Sequence, residues 1–533
     1  MAQGPSQRLN FGGVLFGVIF ITNGFSLFRN VPEWQITGKW FGTIAATIVF
    51  VAVGSAIKLV RPERRIIPDV QACSLYMAII NIAVVMYCLL QIFGIVRNGS
   101  LFRAVADFDN PAGVAALLCV SFPFAIMVSF RKQKRMFFAL FVFVIDASIL
   151  FLIQSRTGLI ALTASAFVGF LFHDRGRSVK YGSVILASVM IIVLACSIYI
   201  LFCHKTASTN GRMVIYNTCM RMLADRPLLG YGPGGFDKNY MYWQADYLKT
   251  VCDDNILMLS DNVTHPLSEF LLIAVNYGLV GLSIVIGLIA YAIALVQKRE
   301  GRVRSLLLML MCSIGTLSLF SYPFRYPMTT VALVCFVVLL FKDSFEKILN
   351  DHSRTVSTIL LVAATVSIIY VVKWYKAQVY WKVITDGLNA GKENALELKR
   401  DLLPFTDQVL AKNPRYMYSR AVVSYYAGDY SQALTDVRNS MEKLSSYDTE
   451  LLMGSILEKM ERNTDAEMHY REASYMCPSR ITPLYRLFRL YEAEGDTVSM
   501  VMTGNELLEK PVKIPSHDTR AMRLDVRRKL LYL

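Results

Sequence analysis

The chain is 533 residues long, 54% of them hydrophobic and 18% charged, with a formal net charge of +15. Its mean hydropathy of +0.43 excludes an ordinary soluble protein of this length. Much of the basic excess sits in short loops between apolar runs, where it sets membrane topology, and this argues against a nucleic-acid partner. The ten cysteines show no metal-ligand spacing, and most lie inside apolar runs as packing residues.

Long apolar runs fill the chain up to Lys373 and thin out beyond it. This predicts a polytopic membrane domain over 1–373 and a soluble domain over 374–533. A span needs about 20 mostly apolar residues. In chain order the candidates are Phe11–Phe28, Phe41–Val60, Cys73–Val96, Ala112–Phe130, Met136–Gln154, Thr157–Phe172, Gly182–Cys203, Leu279–Val296, Ser305–Phe320, Met328–Phe341 and Val356–Val372. The first has no convincing cleavage site and reads as a membrane helix rather than a signal peptide. The expectation is a transmembrane helical bundle of about eleven or twelve spans.

Lysine and arginine in the short loops orient the spans. Loops two, four, six, eight and ten read KLVRPERR, RKQKR, HDRGRSVK, QKREGRVR and FKDSFEKILNDHSR, with 4, 4, 3, 4 and 3 basic residues. The odd-numbered short loops carry one or two each. The even loops and the N-terminus are therefore expected in the cytoplasm. The large loop 204–265 and everything after Lys373 are expected outside, which in a bacterium is the periplasm.

Four arginines run against this rule: Arg156 in QSRTG, Arg212 and Arg221 in the large loop, and Arg325 in SYPFRYP. An arginine at membrane depth is costly without an anionic partner. Asp146, ten residues earlier on the preceding span, is a structural candidate; an anionic substrate is the functional one. Asp107-Phe-Asp109 has a spacing that suits a divalent metal. The motif is short, and Asp109 equally fits a turn before Pro111, so no metal site is expected.

The large loop collects the polar chemistry. Asn210 and Gly211 predict a turn, followed by a helix from Arg212 to Ala224 with Met213, Tyr216, Met220 and Leu223 as its apolar stripe. Arg212 and Arg221, nine residues apart, fall about 180° apart on a regular helix. Arg221 therefore serves a ligand or is simply solvated. RPLLGYGPGGF then breaks the helix, and Gly232 and Gly234 in it let backbone N–H groups approach a ligand, though tight turns use the same residues. Pro266 suits a first helical position, so His265 reads as the N-cap of a helix continuing through Glu269. Its imidazole either caps that helix or takes a proton from an acceptor hydroxyl. Arginine is suited to clamp a pyrophosphate through bidentate hydrogen bonds. Cys219 and Cys252 share this loop and can pair if it is oxidised.

SRTG at the head of a span, NGR followed by RPLLGYGPGGF, and H-x3-E with YGLVGL downstream resemble the O-antigen ligase and O-antigen polymerase superfamily. FDNPAG and SYPFRYP resemble its outer loops. The resemblance implies a polytopic inner-membrane glycosyltransferase that takes a glycan from undecaprenyl pyrophosphate without a nucleotide sugar or a required metal. It implies that Arg156 and Arg212 bind the donor pyrophosphate and that His265 activates the acceptor or assists transfer. Arg221, Gly232, Gly234, Arg325 and Glu269 are the further substrate-binding candidates. Two positions depart from the family pattern. Pro266 follows the histidine where the family often has Asn, and Asn276 stands where it often has an acidic residue.

Beyond Lys373 a repeat of about 34 residues emerges, as in tetratricopeptide arrays. Turns at Gly428-Asp429, Asn463-Thr464 and Gly495-Asp496 are spaced 35 and 32 residues apart. Such helix pairs stack into a scaffold for protein or peptide. His469 and His517 are read there as surface residues.

The expectation is thus an all-α protein: a membrane bundle followed by a periplasmic tetratricopeptide-like α-solenoid. Its expected function is O-antigen ligase-like glycan transfer at the inner membrane, with lipid A–core as acceptor and no cofactor. A second lipid-linked repeat (polymerase) and protein Ser/Thr are competing acceptors. A membrane-anchored assembly scaffold is the non-enzymatic alternative. A transporter would need more mid-membrane ionisable residues than Asp146 supplies.

Overall fold

The computed structural model describes residues 32–61, 70–97, 102–128, 132–172, 206–251, 253–390, 395–513 and 515–532, with positions 188, 192, 195 and 199. Among these residues all regular structure is helical. The chain divides into two compact units, Met1–His204 with Ile286–Lys373 and Lys205–Val285 with Trp374–Leu533.

Five helices among the described residues are long and apolar enough to cross a membrane: Gly38–Val60, Cys73–Ile92, Glu269–Gln297, Gly301–Phe320 and Ser353–Leu388. Pro327–Leu340 and Lys342–Asp351, bent by 74°, make a sixth if they form one span. Pro111–Ala125, Phe137–Leu152 and Arg156–Leu171 are shorter apolar helices. These helices coincide with every expected span that falls on described residues. Phe11–Phe28, and Gly182–Cys203 apart from four helical positions, lie outside them.

In the first unit, Pro111–Ala125 is the central element, with every residue from Gly113 to Ala125 buried. A helix apolar all round belongs inside a bundle. It starts where Asn110 Oδ1 accepts the N–H of Ala112 at 2.8 Å, with Pro111 at the first helical position. Small residues permit close helix contacts. A Cβ on Gly158 would stand 2.8 Å from that of Ala115, and one on Gly169 would stand 2.7 Å from Met309 Sδ. The Ala115–Gly158 contact brings the starts of Pro111–Ala125 and Arg156–Leu171 to one end of this unit.

Asp146 differs from the expectation. It is buried and accepts from Asn81 Nδ2 at 3.0 Å, so its partner is a neutral amide rather than Arg156. Its position mid-helix, away from the end where Arg156 begins the next helix, accounts for the difference.

In the second unit, three helix pairs follow one another: Pro414–Tyr426 with Tyr430–Met441, Tyr447–Lys459 with Asn463–Met476, and Thr482–Glu494 with Thr497–Glu509. Each pair packs on the next. Asp429 and Asp496 cap the second helices of the first and third pairs, accepting from Gln432 N and Ser499 N. Ala421, Ala433, Ala466 and Ala473 are fully buried where helices approach. The same unit contains Thr206–Asp225, Gly235–Leu248 and Asp254–Leu259 from the large loop. A shared core joins the two sequence regions: Cys219, Phe236, Tyr240 and Met241 pack with Tyr447, Ala473, Met476 and Cys477.

Candidate active site

The helix carrying Arg212 begins at Thr206 and runs through Asn210 and Gly211 without the expected turn. A helical glycine costs only about 1 kcal/mol relative to alanine, which the neighbouring turns absorb. Its buried face is Val214, Ile215, Thr218, Cys219 and Met222. Met213 and Met220, expected inside, are exposed. Two apolar stripes wind round this helix, and packing against Phe236, Tyr240 and Met241 selects the first. Arg212 is thereby placed in the wall of a cavity of about 350 Å³, with Ile215, Gln244, Ser260, Asp261 and Leu267. Arg221, on the opposite side, holds its guanidinium 4.5 Å from the Tyr247 ring centroid. Cys219 is buried in the core, and Cys252, its expected partner, lies outside the described residues.

The glycine-rich turn mates with a break in the Glu269–Gln297 helix. Gly278, at φ 66° and ψ −165°, interrupts that helix. The turn supplies the hydrogen bonds that the break removes. Tyr231 N donates to Val275 O at 3.0 Å and Gly232 N to Asn276 O at 2.7 Å. In return Leu279 N donates to Pro227 O at 2.8 Å and Val280 N to Leu228 O at 3.2 Å. Two backbones approach this closely only without side chains. A Cβ on Gly230 would lie 2.4 Å from Val275 O, and one on Gly278 would lie 2.1 Å from Leu228 O. Gly232 and Gly234 have φ of 83° and 72° with open space around them. Gly234 occupies the N-cap of Gly235–Leu248. Asn276 completes the joint, its Oδ1 accepting Phe236 N at 2.8 Å. An acidic side chain would offer the same acceptor oxygen.

His265 is not the N-cap. The helix starts at Glu269, and Ser268 precedes it, its Oγ accepting Leu271 N at 3.3 Å. The reason is local: Leu267 takes φ 57°, and its N–H turns back onto His265 Nδ1 at 3.0 Å. That bond leaves the proton of a neutral ring on Nε2. Nε2 lies 3.7 Å from the Glu269 carboxylate, and both side chains are largely buried. Asp237 lies within electrostatic reach of His265 and of Arg415. The imidazole is thus arranged to donate through Nε2, with Glu269 as the adjacent acceptor.

The first unit holds Arg156 and Arg325. Arg156 opens its helix after the N-cap Ser155, which follows Gln154, whose φ is 57°. Arg325 closes a short 3-10 turn, Pro323–Arg325, with its guanidinium 3.3 Å from the Asp109 carboxylate and its carbonyl accepting Trp40 Nε1 at 3.0 Å. Tyr326 Oη also donates to Asp109, at 3.0 Å. Burial raises the Asp109 carboxyl above its ordinary value, against the pull of Arg325 and Tyr326. Asp107 pairs with buried Lys39 at 3.5 Å. The two aspartates are thus occupied by separate cations, and no group of three His, Cys, Asp or Glu suited to a metal occurs among the described residues.

Several residues of the second unit escape sequence reading. Gln244 is fully buried and donates to the carbonyls of Asp261, at 3.0 Å, and Met476, at 2.9 Å. Nothing in GFDKNYMYWQADYL marks it among its polar neighbours. His469, expected at the surface, is mostly buried, its Nδ1 2.6 Å from Glu450, which also accepts from Tyr242 Oη at 2.7 Å. A buried carboxylate needs such partners, and the helix pairing supplies them. His517 is exposed.

Residues 140–286 match the family model described as O-antigen ligase. The match spans Arg156, Arg212, Arg221, the glycine-rich turn, His265, Glu269 and Gly278. No curated protein matches the chain.

Proposed function

We propose, from the match of residues 140–286 to the family model described as O-antigen ligase, that the protein transfers a glycan from an undecaprenyl-pyrophosphate-linked donor to an acceptor at the periplasmic face of the bacterial inner membrane. Lipid A–core is the proposed acceptor. The observation that carries this reading is the cavity lined by Arg212, in the same matched segment as the partly enclosed His265–Glu269 pair.

In the proposed step an acceptor hydroxyl oxygen attacks the anomeric carbon of the donor glycan. The bond from that carbon to the pyrophosphate oxygen breaks, and its electron pair leaves with undecaprenyl pyrophosphate. Arg212 neutralises the departing diphosphate, since planar guanidinium matches phosphate oxygens in bidentate fashion. His265 gives a hydrogen bond from Nε2 to the leaving group, and Glu269 takes the proton released by the hydroxyl. Charge neutralisation by guanidinium lets the step run without a metal.

The test is discharge of undecaprenyl-pyrophosphate-linked glycan by the purified full-length protein, with and without a chelator. Arg212→Ala and His265→Ala are expected to lose at least about 100-fold in rate while inserting normally. Full activity in both variants would overturn the proposal, and loss of wild-type activity in the chelator would overturn metal independence. In a deletion strain, loss of all capped lipopolysaccharide supports the ligase. Single-repeat capping would instead identify a polymerase, and lost glycoprotein staining a protein transferase.

A further inference from the structure

The cavity that Arg212 lines is also walled by an irregular segment, 260–268, between two helices. Its backbone leans on side chains. Asn262 N donates to Asp261 Oδ1 at 2.8 Å, Val263 N to Met241 Sδ at 3.4 Å, and Leu267 N to His265 Nδ1 at 3.0 Å. A segment held this way has the position its side-chain anchors give it. Further anchors come from the C-terminal region, more than 180 residues away in sequence. The Asp261 carboxylate receives Arg480 Nη2 at 2.8 Å and Lys513 Nζ at 3.3 Å. Asn262 Nδ2 donates to Asp448 at 3.1 Å. Gln244 bridges the carbonyls of Asp261 and Met476. Burial opposes ionisation of Asp261, yet its backbone and cationic partners hold the carboxyl below its ordinary value.

We infer that the C-terminal repeat region sets the geometry of the transfer site through the Asp261–Arg480 ion pair and the Gln244 bridge, which makes Asp261, Arg480 and Gln244 positioning residues for Arg212 and His265. The inference rests on the proposed transfer function. Asp261 and Gln244 line the cavity themselves, and His265 follows Asp261 by four residues, so a shift in this anchor moves both ends of the site. The anchor also makes the repeat region part of the catalytic unit rather than an appended module.

The experiment measures glycan discharge by full-length Arg480→Ala, Asp261→Asn and Arg480→Lys beside Arg212→Ala, with thermal unfolding of each in detergent. Misplacement of reacting groups by about 1 Å costs up to about 100-fold. Arg480→Ala and Asp261→Asn are expected to lower kcat by about tenfold or more with KM changed less than threefold, at an unfolding midpoint near wild type. Arg480→Lys, which keeps the charge at Asp261, is expected to recover most of the rate. Wild-type kcat in Arg480→Ala and Asp261→Asn, or losses that track only the unfolding midpoint, would overturn the inference. If Arg212→Ala is itself fully active, it is the transfer function that fails, and the two failures are told apart.

Discussion

At the scale of single residues, much of the chemistry turns on which atom of a side chain is already engaged. His265 is legible in the sequence as a polar residue at the edge of an apolar run, but the occupation of Nδ1 by Leu267 N is not. His265→Gln keeps a donor near Nε2 and is expected to retain more activity than His265→Ala in the discharge assay. Asn276 makes a parallel case: its oxygen, not its amide nitrogen, holds Phe236 N. Asn276→Asp is therefore expected to keep activity within about threefold, whereas Asn276→Ala leaves a buried N–H unsatisfied, at about 1–3 kcal/mol. Thermal unfolding in detergent distinguishes the two. Asp261 gives a pH signature. Its folded carboxyl titrates below the unfolded value of about 3.9, so its contribution is complete above that value and fades as pH falls through the folded one. Wild type is expected to lose more stability than Asp261→Asn on acidification below about pH 4.

At the scale of elements, the informative feature is the joint between the glycine-rich turn and the broken helix. A break in a membrane-proximal helix exposes carbonyls and N–H groups that must find partners. The turn from Pro227 to Gly232 provides them in both directions. Gly278→Ala meets both a left-handed φ and the Leu228 carbonyl. It is expected to destabilise the joint by more than about 2 kcal/mol and to open residues 227–235 to proteolysis. Gly232→Ala meets only the φ penalty, because no atom stands in its way, and is expected to cost about 1 kcal/mol. The run of glycines was visible in the sequence; that Gly230 meets Val275 and Leu228 meets Gly278 in space was not, because close backbone approach leaves no pattern in residue type. The helix stripe at Met213 and Met220 was misread for a related reason. Periodicity finds an apolar face but cannot choose between two when both are apolar.

At the scale of the whole molecule, the chain is a multi-pass membrane protein whose large loop groups with its C-terminal helices. Removing 374–533 strips Tyr447, Ala473, Met476 and Cys477 from the core shared with Phe236 and Met241. The truncated protein is expected to insert but to become protease-sensitive within 206–260, read by limited proteolysis of membranes. The proposed topology has its own check: alkaline phosphatase fused after Lys373 is expected to be active, and a cytoplasmically fluorescent reporter at the same point would reverse it.

The sequence alone determined where the apolar helices lie and that the fold is helical. It also carried the match to the O-antigen ligase family at 140–286. Hydrophobicity and loop composition are local quantities, readable in a window of about 20 residues. Tertiary structure alone decided that Arg212 lines a cavity while Arg221 stacks on Tyr247, that Asp146 meets Asn81, and that Asp261 is held by Arg480 and Lys513. Each of those pairings joins groups distant in sequence or selects one face of a helix. Such choices are made by packing, which no local window contains.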